Sequence, residues 1–330
     1  VPGSLHVLGS QRPDPNVPAV LSALPGDGRV VLISAGWRFE ETDAPDALRR
    51  MGIQVVHLPL YEWFEVIRQA APELDAAWKE RQQTVLALKA TYRARVKCAI
   101  EALGAMNALR SGGSVVAEEE WLDALADVRR LDERVQARTT ELVRQFPAAE
   151  RPWEHPAVRE HYRVIEFALN RPKAVMVAGG HVGVLISRLR FFGVPDLLRS
   201  AWRDGAAILA WSAGAMALSE RVVLFYDDPP EGEAWPEVMD RGIGLLPGAV
   251  FLPHARRRLR LDDAQRVGIL ANRFGPAPCV GLEMGAHLQW EGGEWVSHGK
   301  PGTALWLTGE GAVVGWESRQ VEGGPGAPRA

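Results

Sequence analysis

Residues 206–218 read Ala-Ala-Ile-Leu-Ala-Trp-Ser-Ala-Gly-Ala-Met-Ala-Leu. The apolar run stops at Ser212 and small residues follow at once. Ala206 to Ala210 suits a strand buried on both faces, since parallel strands under helices are continuously apolar rather than alternating. Ala213, Gly214 and Ala215 keep the next turn slim and lead into a helix. A serine lifted on such a strand-turn-helix corner is placed for attack, with the following backbone N–H aimed at a developing oxyanion. The pattern is Ala210-x-Ser212-x-Gly214, with alanine at the usual first glycine, and a serine-capped helix start fits it equally well.

Outward from this corner the chain alternates strand and helix on both sides. Leu5 to Leu8, Val30 to Ser34 and Ile53 to Leu58 read as strands, with helices from Val17 to Leu24 and from about Thr42 to Met51 between them. Ala174 to Ala178 is a further strand, broken by Gly179-Gly180-His181 before a helix over Val184 to Phe191. Asp196 to Arg203 is a helix too, and Gly205 leads into the strand that carries Ser212. Strand-helix-strand units at this spacing predict an α/β fold, a mostly parallel sheet with helices on both faces. A glycine pair between strand and helix admits a substrate carbonyl to the backbone and can supply an N–H donor.

Between residues 63 and 169 strands vanish. Val85, Leu88, Tyr92, Val96, Ala99, Leu103 and Met106 step by three and four along one helix, and Leu122, Leu125, Val128, Leu131, Val135 and Leu142 along a second. Ser111-Gly112-Gly113-Ser114 between them is a turn, so a long inserted antiparallel helical hairpin is expected. It either packs on itself over the sheet or forms a lid or a homodimer surface. His155 and His161 stand without a carboxylate or cysteine at ligand spacing, which favours surface histidines over a metal site.

Past the corner, Asp227-Asp228-Pro229-Pro230 begins a polar loop, and Gly242-Ile243-Gly244-Leu245-Leu246-Pro247-Gly248 precedes a strand at Val250 to Leu252. His254 follows at that strand's C-terminal end, where open parallel sheets place their sites. A neutral imidazole there can take a serine proton. Of the arginines after it, Arg256 to Arg258 and Arg260, most belong to a solvated face. One of them, with Arg256 first, could clamp a substrate carboxylate as a fork. A helix over Leu261 to Phe274, a strand at Cys279 to Leu282 ending at Glu283, and a β-hairpin with Trp290 and Trp295 about Gly292-Gly293 come next. Strands at Ala304 to Leu307 and Val313 to Trp316 finish the fold. The expected layout is residues 1–62 and 170–316 as two parts of one α/β domain, 63–169 as the insertion and 317–330 as a disordered tail.

Composition narrows the function classes. The 330 residues are 47% hydrophobic and 24% charged, with a formal net charge of -3, which gives no reason to expect nucleic acid or an anionic membrane as partner. No apolar run is long enough for a membrane span, and the first residues lack the layout of a signal peptide. Cys98 and Cys279 make neither a disulfide framework nor a metal set. A cytoplasmic protein without metal or cofactor is expected.

Taken in order, Gly179-Gly180-His181, Trp211-Ser212-Ala213-Gly214-Ala215, Gly242-Ile243-Gly244-Leu245-Leu246, Pro253-His254 with its arginines, and Gly281-Leu282-Glu283 resemble the motifs of the peptidase E and cyanophycinase family of serine peptidases. The resemblance spans residues 170–316 well and 1–60 weakly. It implies a class I glutamine amidotransferase-like fold, Ser212 as nucleophile, His254 as general base, and the Gly180 and Ala213 amides as oxyanion donors. His181 and Val182 stand where the family has asparagine and a polar residue, and His181 joins Arg256 as a substrate-binding candidate. The family's third acid falls at Met284, one place after Glu283. On a strand that slip turns the side chain to the other face, so Glu283 serves only where the strand has ended or bulged. Asp227, fifteen residues past Ser212, is the reserve acid; a backbone carbonyl, or no acceptor at all, remains open. Two functions follow: a serine hydrolase cutting an amide or peptide bond of a small peptide, or a degenerate relative acting as a binding or assembly protein through its helical insertion.

Overall fold

The computed structural model describes residues 1–110, 112–229 and 234–316. Ser111 of the expected turn, Pro230 of the expected loop and the tail 317–330 lie outside the described residues. The first part of the chain runs β1 (Leu5–Leu8), α1 (Val17–Ala23), β2 (Val30–Ile33), a 3-10 segment Ala35–Asp43, α2 (Ala44–Arg49) and β3 (Val56–Leu58). Four helices follow: α3 (Leu60–Ala70), α4 (Pro72–Arg110), α5 (Val115–Val143) and α6 (Pro156–Leu169). Alternation resumes with β4 (Ala174–Val177), α7 (Val182–Phe191), α8 (Val194–Arg203), β5 (Ala207–Trp211) and α9 (Ala213–Leu218). The rest is β6 (Arg221–Leu224), β7 (Glu237–Arg241), β8 (Val250–Pro253), α10 (Ala255–Arg258), α11 (Ala264–Phe274), β9 (Cys279–Leu282), β10 (His287–Glu291), β11 (Glu294–Ser297), β12 (Ala304–Leu307) and β13 (Val313–Gly315).

The central sheet has the order β11-β10-β1-β5-β4-β2-β3, parallel from β1 to β3 and antiparallel at β10 and β11. Successive side chains leave a strand on opposite faces. Val7, Val31, Val177 and Ala210 accordingly join the core under α3 and α7, while Leu8, Leu32, Met176 and Leu209 join a second core under α1 and α2. Helices on both faces explain why these strands are apolar at every position.

One sequence expectation is corrected here. His254 and Ser212 were expected at strand ends of one sheet, but β8 and β9 belong to a separate four-stranded sheet of order β13-β12-β9-β8. The antiparallel β10 takes the edge of β1, so β8 cannot extend the parallel part of the central sheet there. A second correction concerns β6 and β7, an antiparallel pair whose short, half-polar strands gave no clear alternation in the sequence.

The hairpin itself consists of α4 and α5, whereas α3 packs beside α7 and α6 beside α8. Leu125, Val128 and Val135 of the expected stripe are buried, but at its start Trp121 is buried and Leu122 is 51% exposed. The hairpin is fastened to the body by buried polar groups. Arg273 of α11 donates through Nε and Nη2 to the two oxygens of Asp132 on α5, both at 2.7 Å, and Tyr92 of α4 donates to the same carboxylate at 2.7 Å. Such a bidentate pair stays favourable in a dry environment only because each lone pair and proton finds a partner. His155 caps α6 through Nδ1, and His161 packs edge-on to Trp63. Among the described residues no cluster of His, Cys, Asp or Glu could hold a metal ion, and no helix is long and apolar enough to cross a membrane.

Candidate active site

β5 ends at Trp211 and α9 begins at Ala213, leaving Ser212 as the corner residue with φ 52° and ψ -122°. A non-glycine residue in that region is strained by about 1–3 kcal/mol, a strain that persists only where surrounding packing enforces it. Here the packing is visible. A Cβ added at Gly214 would lie 2.2 Å from the Val177 carbonyl oxygen, and one at Gly179 would lie 2.8 Å from Ser212 Cβ and 3.2 Å from its Oγ. Missing side chains at 179 and 214 thus let the corner press against the end of β4. Ser212 itself is half-buried, with its hydroxyl facing the glycine pair.

The same end of the sheet gathers further backbone. Gly180, at φ 104°, packs against the Gly36 carbonyl, and His181 N–H donates to that oxygen at 2.7 Å. The N–H groups of Gly180 and Ala213 donate to no backbone carbonyl among the described residues. For Ala213 this is expected, because the first amides of a helix have no partner within it. Arg38, two residues past Gly36, is exposed and held at φ 59° and ψ -123°, close to the conformation of Ser212. Glu41 anchors this segment: its Oε2 accepts from the N–H groups of Tyr61 and Glu62 at the start of α3, at 2.8 and 3.0 Å. Burial pushes the Glu41 carboxyl up to about 7 against the pull of those two N–H groups.

Leu8 lies opposite Trp211 in the parallel ladder, so Gly9 comes beside Ser212. A Cβ at Gly9 would meet the Glu283 carbonyl oxygen at 1.7 Å, and Gly9 N–H donates to Ala286 at 3.0 Å. Through this contact the end of β9 reaches the end of β1, although the two strands lie in different sheets. His254 follows β8, its N–H donating to Leu282 at 2.9 Å, and takes a left-handed conformation with φ 59°. Burial lowers the His254 pKa first, the positive charges of Arg258 and Arg257 lower it further, and the Glu283 carboxylate pulls it back up. The ring is therefore held neutral at pH 7, as a base requires.

Glu283 lies past the last residue of β9, so the alternation argument no longer binds it. Its Oε1 accepts from Arg256 N–H at 2.9 Å, capping the short α10. Among the described residues neither Ser212 Oγ nor the His254 ring makes a hydrogen bond. Asp227 is fully employed elsewhere: buried, it accepts from Arg260 N–H and pairs with Arg266, both at 2.7 Å. His181 caps α7, accepting through Nδ1 from Val184 N–H at 3.2 Å, while the Arg256 guanidinium donates to the Gly302 carbonyl at 3.2 Å. Ser34 and His57 are in contact at 2.8 Å, but Ser34 is wholly buried and no substrate can reach it. Arg38 and Glu41 were missed in the sequence. A polar run after a strand gives no sign that it folds back onto a glycine pair more than a hundred residues later.

A model of the family described as peptidase family S51 matches residues 155–297, the stretch that carries Gly180, Ser212, His254 and Glu283. This match supports the peptidase E-like family for that part of the chain, and with it a serine peptidase. Among solved structures the chain is similar to a peptidase from an acI-B1 Actinobacterium, with 13% identity and a TM-score of 0.49 over 97% of this chain and 96% of that one. It is also similar to a provisionally named peptidase E protein from Listeria monocytogenes EGD-e, with 12% identity and a TM-score of 0.44 over 91% and 100%. No curated protein matches the sequence.

Proposed function

We propose that the chain is a serine hydrolase of the peptidase E type that cleaves an amide or peptide bond of a small peptide. The observation that carries this reading is Ser212 itself, a strained corner residue whose hydroxyl faces a glycine pair and whose neighbouring amides have no backbone partner. In this nucleophile elbow Ser212 Oγ attacks the scissile carbonyl while His254 takes its proton and later delivers it to the leaving amine. The carbonyl oxygen, as it becomes an oxyanion, receives the N–H groups of Gly180 and Ala213. Glu283, outside the strand and close enough to act on the His254 charge, is the acid of the set. Arg38, Arg256 and His181 are exposed, and as cationic or donor side chains they suit a substrate with a carboxylate near the scissile bond.

A second reading, a catalytically degenerate relative that binds or assembles, draws on one observation: Glu283 Oε1 is occupied by Arg256 N–H rather than by the His254 ring. Hydrolysis of a panel of short peptides, with and without an acidic residue beside the scissile bond, separates the two. The hydrolase reading predicts release of amine by the wild type and none by Ser212→Ala. Equal, background rates from both would leave the binding reading.

A further inference from the structure

The mechanism makes no use of the outer face of α5, yet its charges are segregated, acids toward one end and arginines toward the other. At about 100° per residue, Glu119, Asp123, Asp127, Arg130, Arg134 and Arg138 fall within one sector roughly 100° wide. With Glu120 and Glu141, exposed in the same sector, the N-terminal half carries four acids and the C-terminal half three arginines and one acid, Glu141, which is paired with Arg138. Three of the acids each lie as far from the midpoint between Val128 and Arg129 as one arginine lies on the other side: Glu119 mirrors Arg138, Asp123 mirrors Arg134, and Asp127 mirrors Arg130. All six are exposed. Ala126 and Ala137, exposed and small, lie at the edge of the same sector, and the exposed Leu122 borders it.

What these charges do within one chain is slight. Glu119, Asp123 and Arg134 make no ion pair among the described residues, and Asp127–Arg130 and Arg138–Glu141 are exposed pairs within one helical turn. Such pairs contribute little and exchange easily. Beside the arginine half, α4 and α5 leave a groove of about 180 Å³, floored by Leu88, Tyr92 and Leu131 and rimmed by Arg95, Arg134 and Arg138. An excess of positive charge thus faces solvent at one end of the helix while unpaired acids face it at the other. A surface that is the opposite of itself after a half-turn is what an isologous two-fold interface requires.

We propose that α5 is a self-association surface whose partner is a second copy of this chain. The two α5 helices lie antiparallel about a two-fold axis passing near Val128. Glu119 then faces the partner's Arg138, Asp123 the partner's Arg134, and Asp127 the partner's Arg130, each pair occurring twice. The reading is independent of the chemistry at Ser212.

Sedimentation velocity on the full chain tests it. The wild type is expected to be dimeric at low ionic strength and to dissociate as salt rises, since exposed pairs are screened. Arg134→Glu with Arg138→Glu, and separately Glu119→Arg with Asp123→Arg, should each be monomeric. Like charges facing across the axis should raise the dimer dissociation constant roughly a hundredfold or more. Mixing the two variants restores opposite charges at both ends, so the mixture should sediment as a dimer. All positions are exposed, so both variants should fold, losing only the concentration-dependent part of the melting temperature that a dimer supplies. A wild type that stays monomeric, or variants that dimerise as well alone as mixed, would overturn the proposal. Binding of inorganic phosphate or an acidic peptide to a monomeric wild type would overturn it too and assign the face to that ligand.

Discussion

Replacing Gly179 by alanine probes the proposed nucleophile, Ser212, without replacing it. The new Cβ would stand 2.8 Å from Ser212 Cβ, 3.2 Å from Ser212 Oγ and 3.3 Å from the Trp211 carbonyl oxygen. Carbon atoms rest about 3.5–4.0 Å apart, so Ser212 must retreat by about 1 Å. It has nowhere soft to go, because the next turn is already wedged at Gly214 against Val177. Gly179 is not among the residues with positive φ, so alanine is compatible with its backbone and the strain is one of space. Overpacking of this kind costs about 1–3 kcal/mol of stability. A displacement of about 1 Å at the reacting centre costs about 100-fold in rate, close to 2.7 kcal/mol of barrier. The expected result is a folded Gly179→Ala protein with kcat on a short peptide down about 100-fold and KM little changed. Gly104→Ala in α4 is the control. Its Cβ would meet only the Gln265 side-chain nitrogen, at 3.6 Å, so activity should be intact and stability equal or higher. Full kcat in a folded Gly179→Ala protein would refute the placement of the nucleophile.

Arg257→Gln removes a charge that disfavours the His254 imidazolium, so the acid limb of the kcat/KM profile should move to higher pH. Glu283→Gln removes the opposing influence and should move that limb to lower pH, and under the proposed role of Glu283 it should lower kcat steeply, as loss of an orienting acid does. Asp227→Asn should act on stability instead: breaking the buried pair with Arg266 costs about 3–5 kcal/mol, read as a lower urea midpoint with kcat retained. His6 is held neutral, its pKa lowered to about 4 by burial and by the charges of His287 and His298. An unfolded histidine titrates near 6.5, so this contribution is fully present above that pH. It is lost as pH falls toward 4, at about 1.4 kcal/mol per unit. The urea midpoint should slope accordingly, less so in His6→Asn, and a wild-type midpoint flat across that window would contradict the burial.

The parallel sheet was legible because burial on both faces leaves a plain mark: Val30–Ile33, Ala174–Val177 and Ala207–Trp211 are apolar at every position. Ser212 was legible for a related reason, since only small residues can follow a strained corner. The sheet membership of β8 and β9 was not, because hydrogen-bonding partners are chosen by which edge is already filled, and β10 fills that edge from the far end of the chain. Nor was the employment of Asp227, whose partner Arg260 looks in sequence like part of a solvated basic run and whose partner Arg266 is one polar position of the following helix. The helical stripe predicted the hairpin but placed Leu122 inside, since a three-or-four step cannot by itself choose between Trp121 and Leu122.

Activation of Ser212 is the claim on which the rest depends. It is tested most directly by incubating the folded protein with a fluorophosphonate and locating the adduct by mass spectrometry. The electrophilic phosphorus accepts only an activated hydroxyl, forming an O–P bond as fluoride leaves, and the adduct mimics the tetrahedral intermediate that Gly180 and Ala213 would hold. A single adduct on Ser212, abolished in His254→Ala and slowed in Gly179→Ala, is the result predicted. A folded wild type that stays unlabelled, or an adduct on another serine, would contradict it.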